Sequence, residues 1–179
     1  MHGELAAVVR EFESALVRLH ELRRHVPAAV WGRRPGPERW APAECVAHLN
    51  LTSAAMIPLI RAALADASRQ GIPAPAHYHR DLVGWLLWKS LAPSGRIKAK
   101  TIPAFVPSGD HSPDALVAEF ERWQAEQIEC VRDADGLPIQ RVKIVSPFNA
   151  RIRYNLFSAF SILARHQHRH LWQAERAAV

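Results

Sequence analysis

The chain has 179 residues, of which 49% are apolar and 22% charged, a balance typical of a globular protein. At this length we expect one domain spanning residues 1–179. No continuous apolar run approaches the roughly 20 residues that cross a bilayer, and the N-terminus lacks an apolar signal core, so we expect no membrane partner.

The net charge of +6 comes mostly from arginines that are dispersed in pairs along the chain. These pairs are Arg23 with Arg24, Arg33 with Arg34, and Arg151 with Arg153. A basic balance attracts phosphate, but no helix-turn-helix, zinc-finger or single-strand-binding signature accompanies it. We therefore expect a solvated basic surface and no nucleic-acid partner, with an anionic small substrate as the intermediate alternative.

The first predicted helix covers about residues 4–26 and ends at Pro27. Its apolar residues recur at helical spacing: Leu5, Val8, Val9, Phe12, Leu16, Leu19 and Val26. A second helix is predicted over residues 42–69, because Pro42 suits the first helical position and glycine and prolines follow residue 70. Pro58 lies inside this helix and predicts a kink near Ser53 or Ala54.

A short apolar helix with Trp85 and Trp88 is predicted over residues 81–91, and the Pro- and Gly-rich residues 92–111 read as a crossover. Ser112 and Pro113 begin a third long helix that ends near residues 135–136. Residues 142–145 favour a short strand, and residues 154–178 favour the last helix. Four long amphipathic helices with a long crossover between the second and third predict an all-α four-helix bundle.

Both cysteines, Cys45 and Cys130, lie inside predicted helices, so we expect free buried thiols and no disulfide. This cysteine usage fits a reducing compartment, and we expect the protein to be cytoplasmic.

Three histidines are the candidate metal ligands: His48 in the second helix, with His166 and His170 in the last. Two histidines four residues apart on a helix differ by about 40° in direction and about 6 Å in rise, so both can face one ion. Each of the three continues an apolar stripe, where bundles place inward-facing ligands. His168 faces the opposite side and is predicted to be a surface residue. The alternative is that all three histidines are packed core residues.

The sequence resembles the DinB-like superfamily at three places. Residues 40–49 (WAPAECVAHL) resemble the motif that opens its second helix, and residues 166–173 (HQHRHLWQ) resemble its closing motif. Residues 98–101 (KAKT), with Phe105 and Pro107, are similar to its crossover. The resemblance implies up-down-down-up topology and a divalent ion, nickel or zinc, on three histidines. Ala41 departs from the serine cap common in the family, at a cost of about 1 kcal/mol.

Two function classes remain open. The first is a metal-dependent enzyme of the thiol transferase or hydrolase type that activates water or a thiol, with a small-molecule substrate held near Trp85 and Trp88. A low-molecular-weight thiol is the candidate co-substrate. The second is a non-catalytic metal- or ligand-binding stress-response bundle. We assign no catalytic residue, although Cys45 is the next candidate nucleophile and Gln173 a candidate for orienting a ligand or substrate.

We also expect a homodimer. Residues 85–88 (WLLW) are apolar nearly all round a helix, so one bundle covers them on one face only. The alternative is that this helix lines the metal pocket.

Overall fold

The computed structural model describes residues 1–92, 101–109 and 112–179, and helices account for most of them. The helices are α1 (Gly3–His25), α2 (Ala28–Trp31), α3 (Pro42–Arg69), α4 (Leu82–Ser90), α5 (Pro113–Asp133) and α6 (Leu156–Ala177). A 3₁₀ turn (Pro103–Phe105) precedes α5, and two strands, β1 (Lys143–Ser146) and β2 (Asn149–Asn155), precede α6. The sequence anticipated neither α2 nor the 3₁₀ turn, and residues 93–100 and 110–111 of the predicted crossover lie outside the described residues.

Side-chain caps begin three of the helices. The carboxylate of Asp81 accepts from the N–H of Gly84 at 2.9 Å, Ser112 caps α5 in the same way, and Asn155 accepts from the N–H of Ser158 at 2.7 Å. Ala41 has no side-chain oxygen to offer α3, as the sequence indicated. Glu44 supplies the other half of a capping box there, because its carboxylate accepts from the N–H of Ala41 at 2.8 Å.

Of the four long helices, α1 and α3 each pack against both α5 and α6. Their inward stripes form two apolar clusters. One cluster includes Phe12, Ile60, Val131 and Phe160, and the other includes Leu19, Leu49, Phe120 and Leu171. The short α4 packs outside this arrangement, against α6 and β2. The protein is therefore mostly helical, and α3 and α6 are direct neighbours.

The two strands form an antiparallel hairpin, which corrects the prediction of a single strand. Ile144 pairs with Tyr154, and the register is irregular between Val145 and Ser146. The last helix was predicted to begin at Tyr154, but that residue pairs in β2 and Asn155 is the cap. Its start was wrong because strand pairing depends on a partner that is distant in sequence.

Helix α3 is the one described helix long and apolar enough to span a membrane by length and composition, although no single apolar run suggested it. Of its apolar window, 61% is buried inside the protein, and this is the pattern of a core helix. Pro58 lies within α3, and the kink there stays a prediction.

Candidate metal centre

The structure brings together the three histidines that the sequence singled out. His48 comes from α3, and His166 and His170 come from adjacent turns of α6. One ligand nitrogen from each residue lies within 4.8 Å of the other two. The side chains are buried, with exposed fractions of 2%, 8% and 9%. We call these three residues the histidine cluster.

A backbone carbonyl fixes the ring of His48. Its Nδ1 lies 2.8 Å from the carbonyl oxygen of Phe105, which can only accept, so Nδ1 carries the proton. Nε2 is therefore the nitrogen with a free lone pair, and it points to Nε2 of His166 at 3.2 Å. Two nitrogens about 2.1 Å from one ion, at angles between about 90° and 109°, are roughly 3.0–3.4 Å apart. The observed separation fits a shared ion.

The two α6 histidines have unsatisfied polar atoms. Nδ1 of His166 and Nδ1 of His170 are both buried, and neither has a hydrogen-bond partner within the described part of the chain. Buried polar atoms without partners are uncommon in native proteins, so these rings keep bonding capacity for an ion at one nitrogen and a water at the other. The residues therefore fit a metal by donor type, spacing and unused bonding capacity.

The environment keeps the cluster neutral. Burial lowers the pKa of His48, and it lowers the pKa of His166 and of His170 well below the ordinary histidine value. Repulsion between the rings and from the Arg169 guanidinium adds to this effect on the α6 pair. Neutral imidazole is the form that binds a metal, so the ligands require no deprotonation at neutral pH.

Aromatic rings from three separate segments surround the cluster. Trp40, just before α3, lies 5.0 Å from the ring of His48 and 5.9 Å from that of His170. Phe105 of the 3₁₀ turn and Phe148 at the hairpin tip are 4.3 Å apart, and Phe148 lies 5.9 Å from His166. The sequence reading gave none of these rings a role. The one available signal for Phe148 was its place after Pro147, between two extended segments.

Three other residues singled out from the sequence, Cys45, His168 and Gln173, do not belong to the histidine cluster. Cys45 is buried, and burial raises the pKa of its thiol to about 12, so it is not a thiolate at neutral pH. His168 faces α1 and not the cluster, but its side chain is only 12% exposed because it packs against Arg18 and Glu11, so the prediction of a surface residue was wrong. Gln173 hydrogen-bonds His170 and raises its pKa, opposing the effect of burial.

The tryptophans of α4 do not contact the histidine rings in the described residues. The ammonium group of Lys89 lies over Trp85, and the guanidinium groups of Arg80 and Arg165 lie over Trp88. The expectation that these indoles hold the substrate therefore stays a prediction.

A mostly helical fold with three buried histidines on two neighbouring helices defines a class of helical proteins able to bind a metal ion. Comparison with known protein families matches residues 11–174 to the DinB superfamily. The chain belongs to that superfamily, as its motifs at residues 40–49 and 166–173 indicated. A search of curated proteins and a search of solved structures each gave no significant match.

Proposed function

We propose that this protein is a divalent-metal-dependent enzyme of the thiol transferase or hydrolase type. The observation that carries the proposal is the approach of His48, His166 and His170, whose ligand nitrogens lie within 4.8 Å of one another. Three imidazole ligands suit zinc or nickel, and a three-ligand set leaves one coordination position free for chemistry. The four long helices are proposed to form a four-helix bundle with up-down-down-up topology, which places both ligand helices side by side.

A bound divalent ion with three neutral ligands keeps its full charge and lowers the pKa of a water or thiol that reaches it. The residues of the chain prepare that chemistry. The carbonyl oxygen of Phe105 keeps the proton of His48 on Nδ1, so the lone pair of Nε2 is free on the side of His166. The rings of Trp40 and Phe148 limit the access of bulk water, and a lower local dielectric strengthens electrostatic interactions.

The nucleophile is proposed to come from outside the chain. Cys45, one turn before His48, is the nearest candidate on α3, but its raised pKa and burial argue against a thiolate. A water molecule or a low-molecular-weight thiol therefore remains, acting on a small-molecule substrate.

Metal analysis of tag-free protein tests the site. We expect about one divalent ion per chain in the wild type and in His25→Ala, whose ring is exposed on α1. We expect almost none in His170→Ala, because one of three ligands is lost. Unchanged metal content in His170→Ala would contradict the assignment.

A thiol–electrophile screen and a hydrolysis screen, each with and without a chelator, test the activity. We expect turnover that chelation abolishes and a specific divalent metal restores. A protein that binds metal stoichiometrically but turns over nothing in either screen would support the non-catalytic alternative. Turnover that survives complete metal removal would contradict the metal-dependent mechanism.

A further inference from the structure

Two guanidinium groups lie over the indole of Trp88 on α4. Cζ of Arg165 on α6 is 4.0 Å from the ring centroid of Trp88, and Cζ of Arg80, just before α4, is 4.4 Å from it. Both distances are within the range of cation–π attraction. We call Arg80 and Arg165 the arginine pair.

The local packing holds α4 against α6. Gly84 lets α4 approach α6 closely, because a Cβ there would overlap the side chain of Ser158. Nη1 of Arg80 donates a hydrogen bond to Oγ of Ser161 at 3.2 Å. Trp88 is carried on the same short helix, one turn beyond Gly84.

The arginine pair has no carboxylate counter-ion within the described ranges. Asp81, the nearest acid in sequence to Arg80, accepts from the N–H groups of Gly84 and Asn155 and lies 3.7 Å from Lys143. Other arginines of the chain do pair with acids, as Arg18 does with Glu175. Two like charges on one indole without a counter-ion are an arrangement that an anion would stabilise.

One atom of the pair is also unsatisfied. Nε of Arg165 is buried and has no hydrogen-bond partner among the described residues. Burial and the charge of Arg165 together lower the pKa of Arg80, in agreement with two guanidinium groups close to each other in a partly desolvated place. An oxyanion would satisfy both the charge and the free N–H, because guanidinium groups bind carboxylate and phosphate through paired hydrogen bonds.

The sequence position of Arg165 relates the arginine pair to the proposed metal ligands. Arg165 directly precedes His166 on α6, and neighbouring helical residues differ by about 100° in direction. The face with the arginine pair therefore borders the face that bears the histidine cluster.

We propose that Arg80, Trp88 and Arg165 form a binding site for an oxyanion, the carboxylate or phosphate group of a small-molecule ligand. That this ligand is the substrate of the metal centre rests on the proposed function, whereas anion binding itself does not. The site selects substrates with an anionic group placed beside the reacting group.

Isothermal titration of the full chain, at constant ionic strength set with sodium chloride, tests the site. The probes are inorganic phosphate and acetate, which separate a phosphate ligand from a carboxylate ligand. We expect saturable binding of at least one probe to the wild type and to Arg10→Gln, an exposed arginine of α1. We expect at least tenfold weaker binding to Arg80→Gln and to Arg165→Gln.

Arg165→Lys is a second variant in case Arg165→Gln fails to fold, because lysine keeps the charge and loses the planar donor pair. We expect its anion affinity to lie between those of the wild type and Arg165→Gln. Absence of saturable binding to the wild type, or equal affinity in Arg165→Gln, would overturn the proposal.

The His170→Ala variant separates this site from the metal centre. We expect His170→Ala to lose its metal and to keep the anion affinity of the wild type. If His170→Ala loses anion binding and Arg165→Gln keeps it, the anion binds at the metal, so the oxyanion site is refuted and the metal centre is supported. If His170→Ala keeps both its metal and its anion binding, the metal assignment fails and the oxyanion site stands.

Discussion

Replacing Gln167 with leucine should destabilise the protein by at least about 3 kcal/mol. Gln167 is fully buried beside His166 and joins α6 to two glutamines of α5. Its Nε2 donates to Oε1 of Gln124 at 2.9 Å and to Oε1 of Gln127 at 2.8 Å, while its Oε1 accepts from Nε2 of Gln124 at 3.0 Å. Leucine therefore leaves two acceptors and one donor buried without partners. Each unsatisfied group costs about 1–3 kcal/mol, and the lower limit gives the stated total.

The glutamine network, defined as Gln124, Gln127 and Gln167, reaches further into the fold. Gln124 donates to the carbonyl oxygen of Phe12 on α1, and Gln127 donates to Oγ of Ser53 on α3 at 2.6 Å. All four long helices are thus linked at the level of the histidine cluster. Loss of the central amide should loosen the contact between α3 and α6 that brings the histidine cluster together, so the metal affinity should fall as well.

Urea unfolding followed by far-UV circular dichroism measures the effect, with Gln70→Leu as the control because Gln70 is exposed at the end of α3. We expect the Gln70→Leu variant to stay within about 0.5 kcal/mol of the wild type. Replacing all three glutamines of the network with leucine should cost less than the sum of the three single changes, because fewer buried groups lose their partners. A loss clearly below about 3 kcal/mol for Gln167→Leu would refute the reasoning.

Two further predictions concern the packing at Gly84 and the stability of the protein at acidic pH. Gly84→Ala should cost about 1–3 kcal/mol in urea unfolding, since the new Cβ overlaps Ser158, whereas Gly3→Ala, which meets open space, should cost nothing measurable. The metal-free protein should lose stability as the pH falls below about 6.5, because the unfolded chain protonates histidines whose folded pKa is depressed, and a shallower loss is expected in His170→Gln. A urea midpoint that does not change between pH 8 and pH 5 would contradict the second prediction.

Local signals made the helices predictable. Residues 42–69 were predicted as one helix and α3 spans Pro42–Arg69, because a proline at the first position and a glycine after the last turn are strong boundary signals. The short helix α4 was predicted from its apolar run, and Asp81 caps its start. The start of α6 was placed two residues early because Tyr154 belongs to a strand, and its partner Ile144 is ten residues away.

The site could be predicted only as far as its residues follow local rules. His166 and His170 share a face by helical spacing alone, whereas their approach to His48 was predicted from the apolar stripe that each histidine continues and from the family resemblance. The rings of Phe105 and Phe148 come from a turn and a hairpin tip, and no periodic pattern indicates where such segments lie. The contact between Trp88 and Arg165 joins two helices far apart in sequence, so it became visible only in the structure.

The homodimer stays a prediction, and the exposed face of α4 is the interface we expect for it; Trp85 and Leu86 of the predicted run lie on this face. Trp88 is covered by the arginine pair, whereas Leu82, Leu86, Trp85 and Val83 are 72%, 53%, 41% and 40% exposed. A second copy of the chain would cover this face symmetrically, α4 against α4, because a two-fold contact buries the same patch on both partners.

Light scattering at micromolar concentration tests whether the protein is a dimer. We expect a mass of about 40 kDa, twice the 20.1 kDa of one chain, for the wild type. Leu86→Glu places a charge in the middle of the exposed face and should give a monomer, since burying an unpaired carboxylate is costly. Val17→Glu is the matched control, because Val17 is 59% exposed on α1. A wild-type mass near that of one chain would refute the dimer, and a dimeric Leu86→Glu would move the interface away from α4.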